Sequence, residues 1–417
     1  MTPLAAIDFS KRDEAPLDEA SLVREYPQLI KYMGSKAKII NFVAESISSI
    51  HDGGVVCDLF SGASSLSGAL GAAYPIISND IQHYSAHIAS VYLKPIQDFN
   101  VDELYESAKI NYCQAKNKIG KDLEYVGFTS LAEFNEIEER NRLLINRNFR
   151  HKYHLFLKSY SGTWWSAEQC IWIDAIKQAI DDRIKSKEWG SAEYSLAMSV
   201  LMHAMAYTSQ GTGHYAQYRD AKTDSSMQDI NIYRQKKLQD IFLRKLNQIL
   251  VWSKNSVIDL KHTITTLDYK DCLARLSGGT VYADPPYAFV HYSRFYHAME
   301  TLALYDFPDL QVKGGHVVKG RYREIRHQSP FCIKSQVEGA FVDLFSGIQK
   351  SGSNLALSYS HTAMISLEHL LRISERVLKS NFEVWVEELD HKHMTMGRQN
   401  DRHREVKELI LLARKKK

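Results

Sequence analysis

The 417-residue sequence has no apolar run approaching the roughly 20 residues that span a bilayer, so no membrane helix is expected. Between Met1 and Ala20 no apolar stretch runs into small residues. That argues against a secretory signal and for a cytoplasmic location. Cysteine is scarce and scattered: Cys57, Cys113, Cys170, Cys272 and Cys332 show no C-x-x-C spacing. A disulfide framework and a zinc site are both unexpected, and the thiols are expected to be reduced and without a chemical role. His391-Lys392-His393 and the pair His151 and His154 lack further ligands at useful spacing, so no metal is expected there. An excess of one charge is missing too, with 52 Lys and Arg against 49 Asp and Glu for a net charge of +3. Any nucleic-acid surface must therefore come from local clustering rather than overall charge.

What is present reads as an α/β protein long enough for more than one domain. From Lys36 to Ile50 the residues Ile39, Val43, Ile47 and Ile50 recur at the spacing of one helical face. His51-Asp52-Gly53-Gly54 ends that helix. Val55 to Phe60 then predicts a buried strand, Ser61 to Ser64 a tight turn into a helix, and Ile76 to Asp80 a second strand. Strand, turn, helix and strand in so few residues open a parallel sheet. From about Lys94 to Ser256 the chain becomes helix-rich and polar. Within it Ser166 and Gln169 form a capping box ahead of the apolar stripe Ile173, Ile176, Ile180 and Ile184. The α/β rhythm resumes with strands at 262–267, 280–283 and 354–359, a helix at 367–379, and a closing strand pair at 383–386 and 406–412. The expected division is an extension at 1–25, a split catalytic domain at 26–93 and 257–417, and an inserted region at 94–256.

Two patterns carry chemistry. In Asp58-Leu59-Phe60-Ser61-Gly62, an acid-ended strand turns through glycine into a helix, an arrangement that can hold a nucleotide-like ligand at a sheet edge. Asp80 ends the next strand, roughly 20 residues on, where a carboxylate accepts from ribose hydroxyls in dinucleotide folds. Taken alone, this pattern fits a plain tight turn with a helix-capping acid equally well. The run Ala283-Asp284-Pro285-Pro286-Tyr287 is more specific. Two prolines end a strand, but they account neither for the acid before them nor for the aromatic after them. An exocyclic amine has two N–H donors, which the Asp284 carboxylate and the Pro285 carbonyl can accept. The nitrogen lone pair then turns out of conjugation towards an incoming methyl group, while Tyr287 offers a face on which an extruded base stacks.

On these residues the chain resembles the DNA adenine-N6 methyltransferases of the Dam type, the α-group whose target-recognition region splits the catalytic domain. Lys31-Tyr32-Met33-Gly34-Ser35-Lys36 resembles the N-terminal cofactor motif of that family, Asp58 to Gly62 its Phe-x-Gly motif and Asp80 its ribose-binding acid. Leu267-Asp268-Tyr269 resembles the motif whose acid reaches the cofactor's adenine, and Asp284 to Tyr287 the Asp-Pro-Pro-Tyr catalytic motif. Residues 291–306, Leu357 to Ser360 and Tyr160-Ser161-Gly162-Thr163-Trp164-Trp165 also resemble segments of such enzymes. One departure is that Ser61-Gly62-Ala63-Ser64 lacks the second glycine many relatives carry, which bears on cofactor affinity.

The resemblance implies a Rossmann-like S-adenosylmethionine-dependent methyltransferase fold with a mostly helical inserted target-recognition domain. It assigns Asp284, Pro285, Pro286 and Tyr287 to catalysis, and Tyr32, Met33, Lys36, Asp58, Phe60, Gly62, Asp80, Asp268 and Tyr269 to the cofactor. It also implies methylation of an adenine flipped from duplex DNA, with a restriction endonuclease or other defence protein as partner. Contacts to DNA are expected from Arg140, Arg142, Arg147, Arg150 and Lys152, and from the glycine-containing loop bearing Lys319, Arg321, Arg323 and Arg326. The rival readings are cytosine-N4 methylation, RNA methylation, and a non-catalytic DNA-binding protein on the same fold. Asp rather than Ser before the prolines favours adenine, as the family resemblance implies.

Overall fold

The computed structural model describes residues 22–211, 213–256, 259–286, 292–360, 363–394 and 403–416, with the backbone alone at 390–394 and 403–407. Most of the expected N-terminal extension, together with Tyr287 and the side chains of His391 and His393, lies outside what is described.

The chain enters through helix α1 (Ile40–Ile50), strand β1 (Val56–Asp58), α2 (Ser65–Leu70), β2 (Ile76–Asn79) and α3 (His83–Leu93). A run of helices follows: α4 (Val101–Lys116), α5 (Leu131–Arg142), α6 (Leu155–Tyr160), α7 (Ala167–Lys185), α8 (Ser191–Thr208), α9 (Asp224–Gln235) and α10 (Leu238–Lys254). Next come β3 (Thr263–Thr265), α11 (Tyr269–Leu273), β4 (Thr280–Ala283), α12 (Tyr292–Phe295), α13 (His297–Leu304) and the short strands β5 (Val312–Lys313) and β6 (His316–Val317). The chain closes with α14 (Val337–Ser351), β7 (Asn354–Ser360), α15 (Leu367–Leu378), β8 (Phe382–Met394) and β9 (His403–Lys415).

Seven strands form one sheet in the order β3-β2-β1-β4-β7-β9-β8. Every pair from β3 to β7 is parallel, and β9 runs antiparallel to both β7 and β8. The strand order reverses between β1 and β4, which leaves a crevice at their carboxyl ends where α/β sheets bind ligands. Because side chains alternate across a strand, each strand feeds two cores. Val56, Ile76, Tyr282, Ala356, Ile410 and Leu412 pack on the α1–α3 side. Cys57, Val281, Leu355, Leu357, Leu409 and Leu411 pack on the other, against Phe341, Leu344 and Ile348 of α14 and Leu370 and Ile373 of α15. This sandwiching explains why β7 is buried along its whole length.

The helical region is no detached lobe. The core on the α1–α3 side continues through Leu196, Val200 and Leu201 of α8 into Ile173, Ile176 and Ile180 of α7. The predicted capping box starts α7: Ser166 N donates to Gln169 Oε1 at 2.9 Å and Gln169 N to Ser166 Oγ at 3.2 Å. Trp164 and Trp165, just before it, are among the largest fully buried side chains. Trp164 Nε1 donates to Gly320 O and Trp165 Nε1 to Met205 O, both at 3.0 Å, and Tyr160 OH donates to Thr301 Oγ1 at 3.2 Å. The aromatic run for which the sequence suggested no role thus ties the helical region to α13 and to the loop beyond it.

Candidate active site

Three of the four acids expected at the site stand at strand ends. Asp58 closes β1, Asp80 follows β2 and Asp284 follows β4, so all three reach the crevice between β1 and β4. The cleft there encloses about 1250 Å³, open mouth included. Its wall contains Tyr32, Met33, Lys36, Asp58, Phe60, Gly62, Asp80, Asp268, Tyr269, Asp284, Pro285 and Pro286. Stretches more than 200 residues apart in the chain are brought together because parallel neighbours in the sheet align their carboxyl ends.

The turn after β1 is held by Asp80. Gly62 N donates to Asp80 Oδ2 and Gln82 N to Asp80 Oδ1, both at 2.9 Å. Gly62 sits at φ +49°, and a Cβ there would fall 2.9 Å from the ring of Tyr32. That ring stacks on Tyr296 of the segment between α12 and α13 at 4.5 Å, and Met33 N donates to Tyr296 OH at 2.7 Å. Asp268 caps α11 by accepting from Lys270 N at 3.0 Å, while Phe60 packs against both Tyr269 and Phe331.

Two residues that organise the cleft were not singled out by sequence. Asn79 is buried, donates to Leu59 O and Leu267 O at 3.1 Å, and accepts from Thr265 Oγ1 at 2.7 Å and Leu267 N at 3.1 Å. It clamps the ends of β1, β2 and β3 with all of its amide capacity in use. Glu300 of α13 accepts from the N–H groups of His83 and Tyr84 at 3.1 and 3.2 Å, capping α3 from another element. In sequence Asn79 is only the residue before a candidate acid, and Glu300 lies in a segment noted for its resemblance alone.

Electrostatically the cleft is acidic. Burial pushes the Asp284 carboxyl up to about 6; Lys36 opposes that rise and Glu408 adds to it. Burial also pushes Asp80 up to about 6 against the pull of its backbone donors. Asp58 is raised well above the usual carboxylate range by burial and then by the neighbouring charges of Asp284 and Asp80. Lys36, expected beside the cofactor, extends its ammonium to within 3.4 Å of Asp284 and 3.2 Å of Glu408.

The basic residues divide into two groups. Arg142 donates to Glu138 at 2.9 Å and to Gly162 O at 2.8 Å; Arg321 is buried and donates to Arg142 O at 3.5 Å. Arg323 grips Asp306 with two bonds of 2.8 and 2.6 Å, and Arg326 donates to Arg323 O. These four are bound up in the fold. Arg140, Arg147, Arg150, Lys152 and Lys319 are exposed, although Arg140 donates to Asp122 O at 3.0 Å, Arg147 to Lys118 O at 2.9 Å, and Lys319 reaches Asp220 at 2.9 Å. The glycine-containing loop is a tight hairpin followed by an anchored stretch. Gly314 and Gly315, at φ +59° and +78°, make the turn between β5 and β6. Beyond it, Gly320 O accepts from Trp164, and Tyr322 OH donates to Ala216 O at 2.6 Å. Cys57 and Cys272, far apart in the chain, bring their sulfurs to 3.9 Å in the second core. Among the described residues, no three His, Cys, Asp or Glu side chains converge as metal ligands would, and no helix is long and apolar enough to cross a membrane.

The sheet order, the crevice at its switch point and the acids on its rim make this a Rossmann-like methyltransferase fold. The chain belongs to the D12 class of N6 adenine-specific DNA methyltransferases, whose family profile matches residues 32–162 and 192–363. It is 24% identical over 349 residues to modification methylase LlaI of Lactococcus lactis subsp. lactis, covering 83% of this chain and 49% of that protein. It is 23% identical to type II methyltransferase M.FokI of Planomicrobium okeanokoites over 84% of this chain and 47% of that one. With type II methyltransferase M.NlaIII of Neisseria lactamica it shares 22% identity over 83% of this chain and 88% of that one. The chain thus spans about half the length of the first two relatives and most of the third. A comparison with solved structures returned no match.

Proposed function

We propose that this chain transfers the methyl group of S-adenosylmethionine to N6 of an adenine flipped out of duplex DNA. We further propose that it is a Dam-type enzyme serving as the modification partner of a restriction endonuclease or related defence protein. The observation that carries the reading is Asp284-Pro285-Pro286, leaving β4 in the same cleft as Asp58, Gly62 and Asp80. Family membership and relatives named as modification methylases support it.

The cleft's residues suit the cofactor. Asp80 uses one position on each oxygen for a backbone donor, which leaves lone pairs for ribose hydroxyls. Asp80 makes the wall attractive to a cation, and Phe60, Tyr269 and Asp268 line it with two aromatic side chains and an acid that suit an adenine ring. S-adenosylmethionine, when bound, supplies a methyl group on a sulfonium, so displacement leaves neutral sulfur. The chain's own contribution is placement, which can supply roughly 7–11 kcal/mol of barrier reduction. Asp284 and the Pro285 carbonyl accept hydrogen bonds from the two N6 N–H groups and aim the lone pair, and one of those protons leaves to solvent after the methyl group has been transferred. The ionised Asp284 then stabilises positive charge as it develops on N6. Pro286 stiffens the loop, and Tyr287 stacks on the extruded base. Residues 26–93 and 257–417 form the catalytic domain in this reading, and 94–256 the target-recognition region. Arg140, Arg147, Arg150, Lys152 and Lys319 contact the DNA backbone.

Purified protein, tritiated S-adenosylmethionine and mixed-sequence duplex DNA, followed by nucleoside separation, test the proposal. Label in N6-methyladenine is the expected result. Label in N4-methylcytosine overturns the base, and label appearing only with RNA overturns the nucleic acid. Cofactor binding without transfer to any of these substrates points to a binding protein.

A further inference from the structure

One buried acid has no part in the site as described. Glu408 lies on β9, opposite Ser360 of β7, and only 2% of its side chain is exposed. It is outside the lining of the cleft, whereas Lys36 and Asp284 both line it. Lys36, 7% exposed, stands between the two acids, with its ammonium 3.2 Å from Glu408 and 3.4 Å from Asp284. Burying a carboxylate is costly unless it is paired, and Lys36 alone would suffice to neutralise Asp284.

We propose that Glu408 is a positioning residue for methyl transfer, dividing the charge of Lys36 so that Asp284, the acceptor facing the substrate, is only partly compensated. The inference rests on the proposed adenine methylation. A lysine shared between two carboxylates compensates each of them only in part, so Asp284 keeps more of its negative charge. That charge complements the positive charge that grows on N6, whereas an Asp284–Lys36 pair alone would be neutral. Lys36 comes from the segment before α1, Asp284 from the end of β4 and Glu408 from β9. Their meeting is therefore a property of the sheet order and of no local motif.

Among the described residues, the groups facing Asp284 are Lys36, Asp58 from β1, Tyr282 from β4, Ser358 from β7 and Glu408 from β9. Glu408 is the nearby charge that acts on Asp284 through a shared lysine. With Glu408 neutral, Lys36 would turn more of its charge on Asp284. The carboxyl would then ionise at lower pH yet be a weaker acceptor.

The test is the pH profile of single-turnover methylation for the full chain and its variants Glu408→Gln and Glu408→Asp, with cofactor affinity measured by calorimetry. E408Q is expected to bind cofactor within about threefold of wild type, to lose about tenfold in plateau rate, and to move its acid limb down by about half a pH unit or more. E408D keeps the charge and should leave the acid limb in place. An unmoved limb in E408Q, or the same shift in E408D, overturns the proposal. Loss of cofactor binding in E408Q also overturns it, because that marks Glu408 as a structural residue. Carboxyl titration by difference infrared spectroscopy, referenced to Asp284→Asn, reads the same shift without turnover. A wild-type protein inactive on adenine would thus count against the reaction and leave the coupling of the two acids separately measurable.

Discussion

At the scale of single residues, the cleft works through a few carboxylates whose protonation its burial controls. Asp284 must be ionised to accept from an amine, and its pKa is pushed up to about 6. The methylation rate should therefore rise with pH through about 6 and level off above it. A rate flat between pH 5 and 8 would remove Asp284 from the acceptor role. Asp284→Ala should keep cofactor affinity while lowering the single-turnover rate by about a hundredfold to a thousandfold. Asp80 titrates in the same range, being pushed up to about 6. Cofactor binding should accordingly weaken as pH falls below about 6, and in Asp80→Ala that dependence should disappear in calorimetric titrations. Gly62→Ala forces a left-handed residue with a Cβ 2.9 Å from the Tyr32 ring. Its cofactor affinity should fall even though no functional group is removed. Asn79→Ala strips four hydrogen bonds from the strand ends and should cost about 2–4 kcal/mol in denaturant melts.

Elements decide which basic residues are free to meet DNA. The last turn of α5 and the loop after it carry Arg140, Arg142, Arg147, Arg150 and Lys152, and sequence spacing treats them alike. The helix turns Arg142 inward onto Glu138, which also accepts from the fully buried Arg234 at 2.8 Å. Arg142→Ala should thus act as a stability variant, costing about 1.5–3 kcal/mol by removing one of the charge-assisted hydrogen bonds to Glu138, which keeps Arg234. Arg147 and Arg150 are exposed, with Arg147 making a surface hydrogen bond to Lys118 O at 2.9 Å. Replacing both with alanine should leave the melting temperature near wild type and reduce the slope of log affinity against log salt by about 1.8. An unchanged slope would show that this loop is a solvated surface away from the DNA. The β5–β6 hairpin makes the same point in reverse. Its glycines set a turn, and the arginines beyond it are fastened to Asp306 and to the backbone of α5.

Across the whole molecule, the helical region and the sheet share one apolar core. The packing of α3 on α8 places residues from both sides of the expected 93/94 boundary in the same cluster. Thermal unfolding of the cofactor-free protein should therefore appear in calorimetry as one cooperative transition. Two resolved transitions would mean that the helical region melts on its own. Excising 94–256 should likewise leave an insoluble remnant, because Ile88, Val91 and other α3 side chains would lose their cover.

The order of elements was legible from the residues alone. Acid-ended strands, the capping box of α7 and the closing strand pair all occur where pattern placed them, because hydrophobic period and capping chemistry act over a few neighbouring residues. The same locality explains why Asp58, Asp80 and Asp284 were visible as candidates: each stands at a strand end marked by glycine, proline or a second acid. Their convergence, and the addition of Asn79, Glu300 and Glu408, depended on strand order, which no local pattern encodes. The separation of Arg142 from Arg147 depended on the burial of Glu138, one helical turn before Arg142, against Arg234 of α9. Such choices are fixed by packing between segments far apart in the chain, where the energies of burial and ion pairing are settled jointly. The sequence by itself therefore determined which chemical groups this protein carries at its strand ends. The tertiary structure decided which of them share a cleft and which are consumed in holding the fold together.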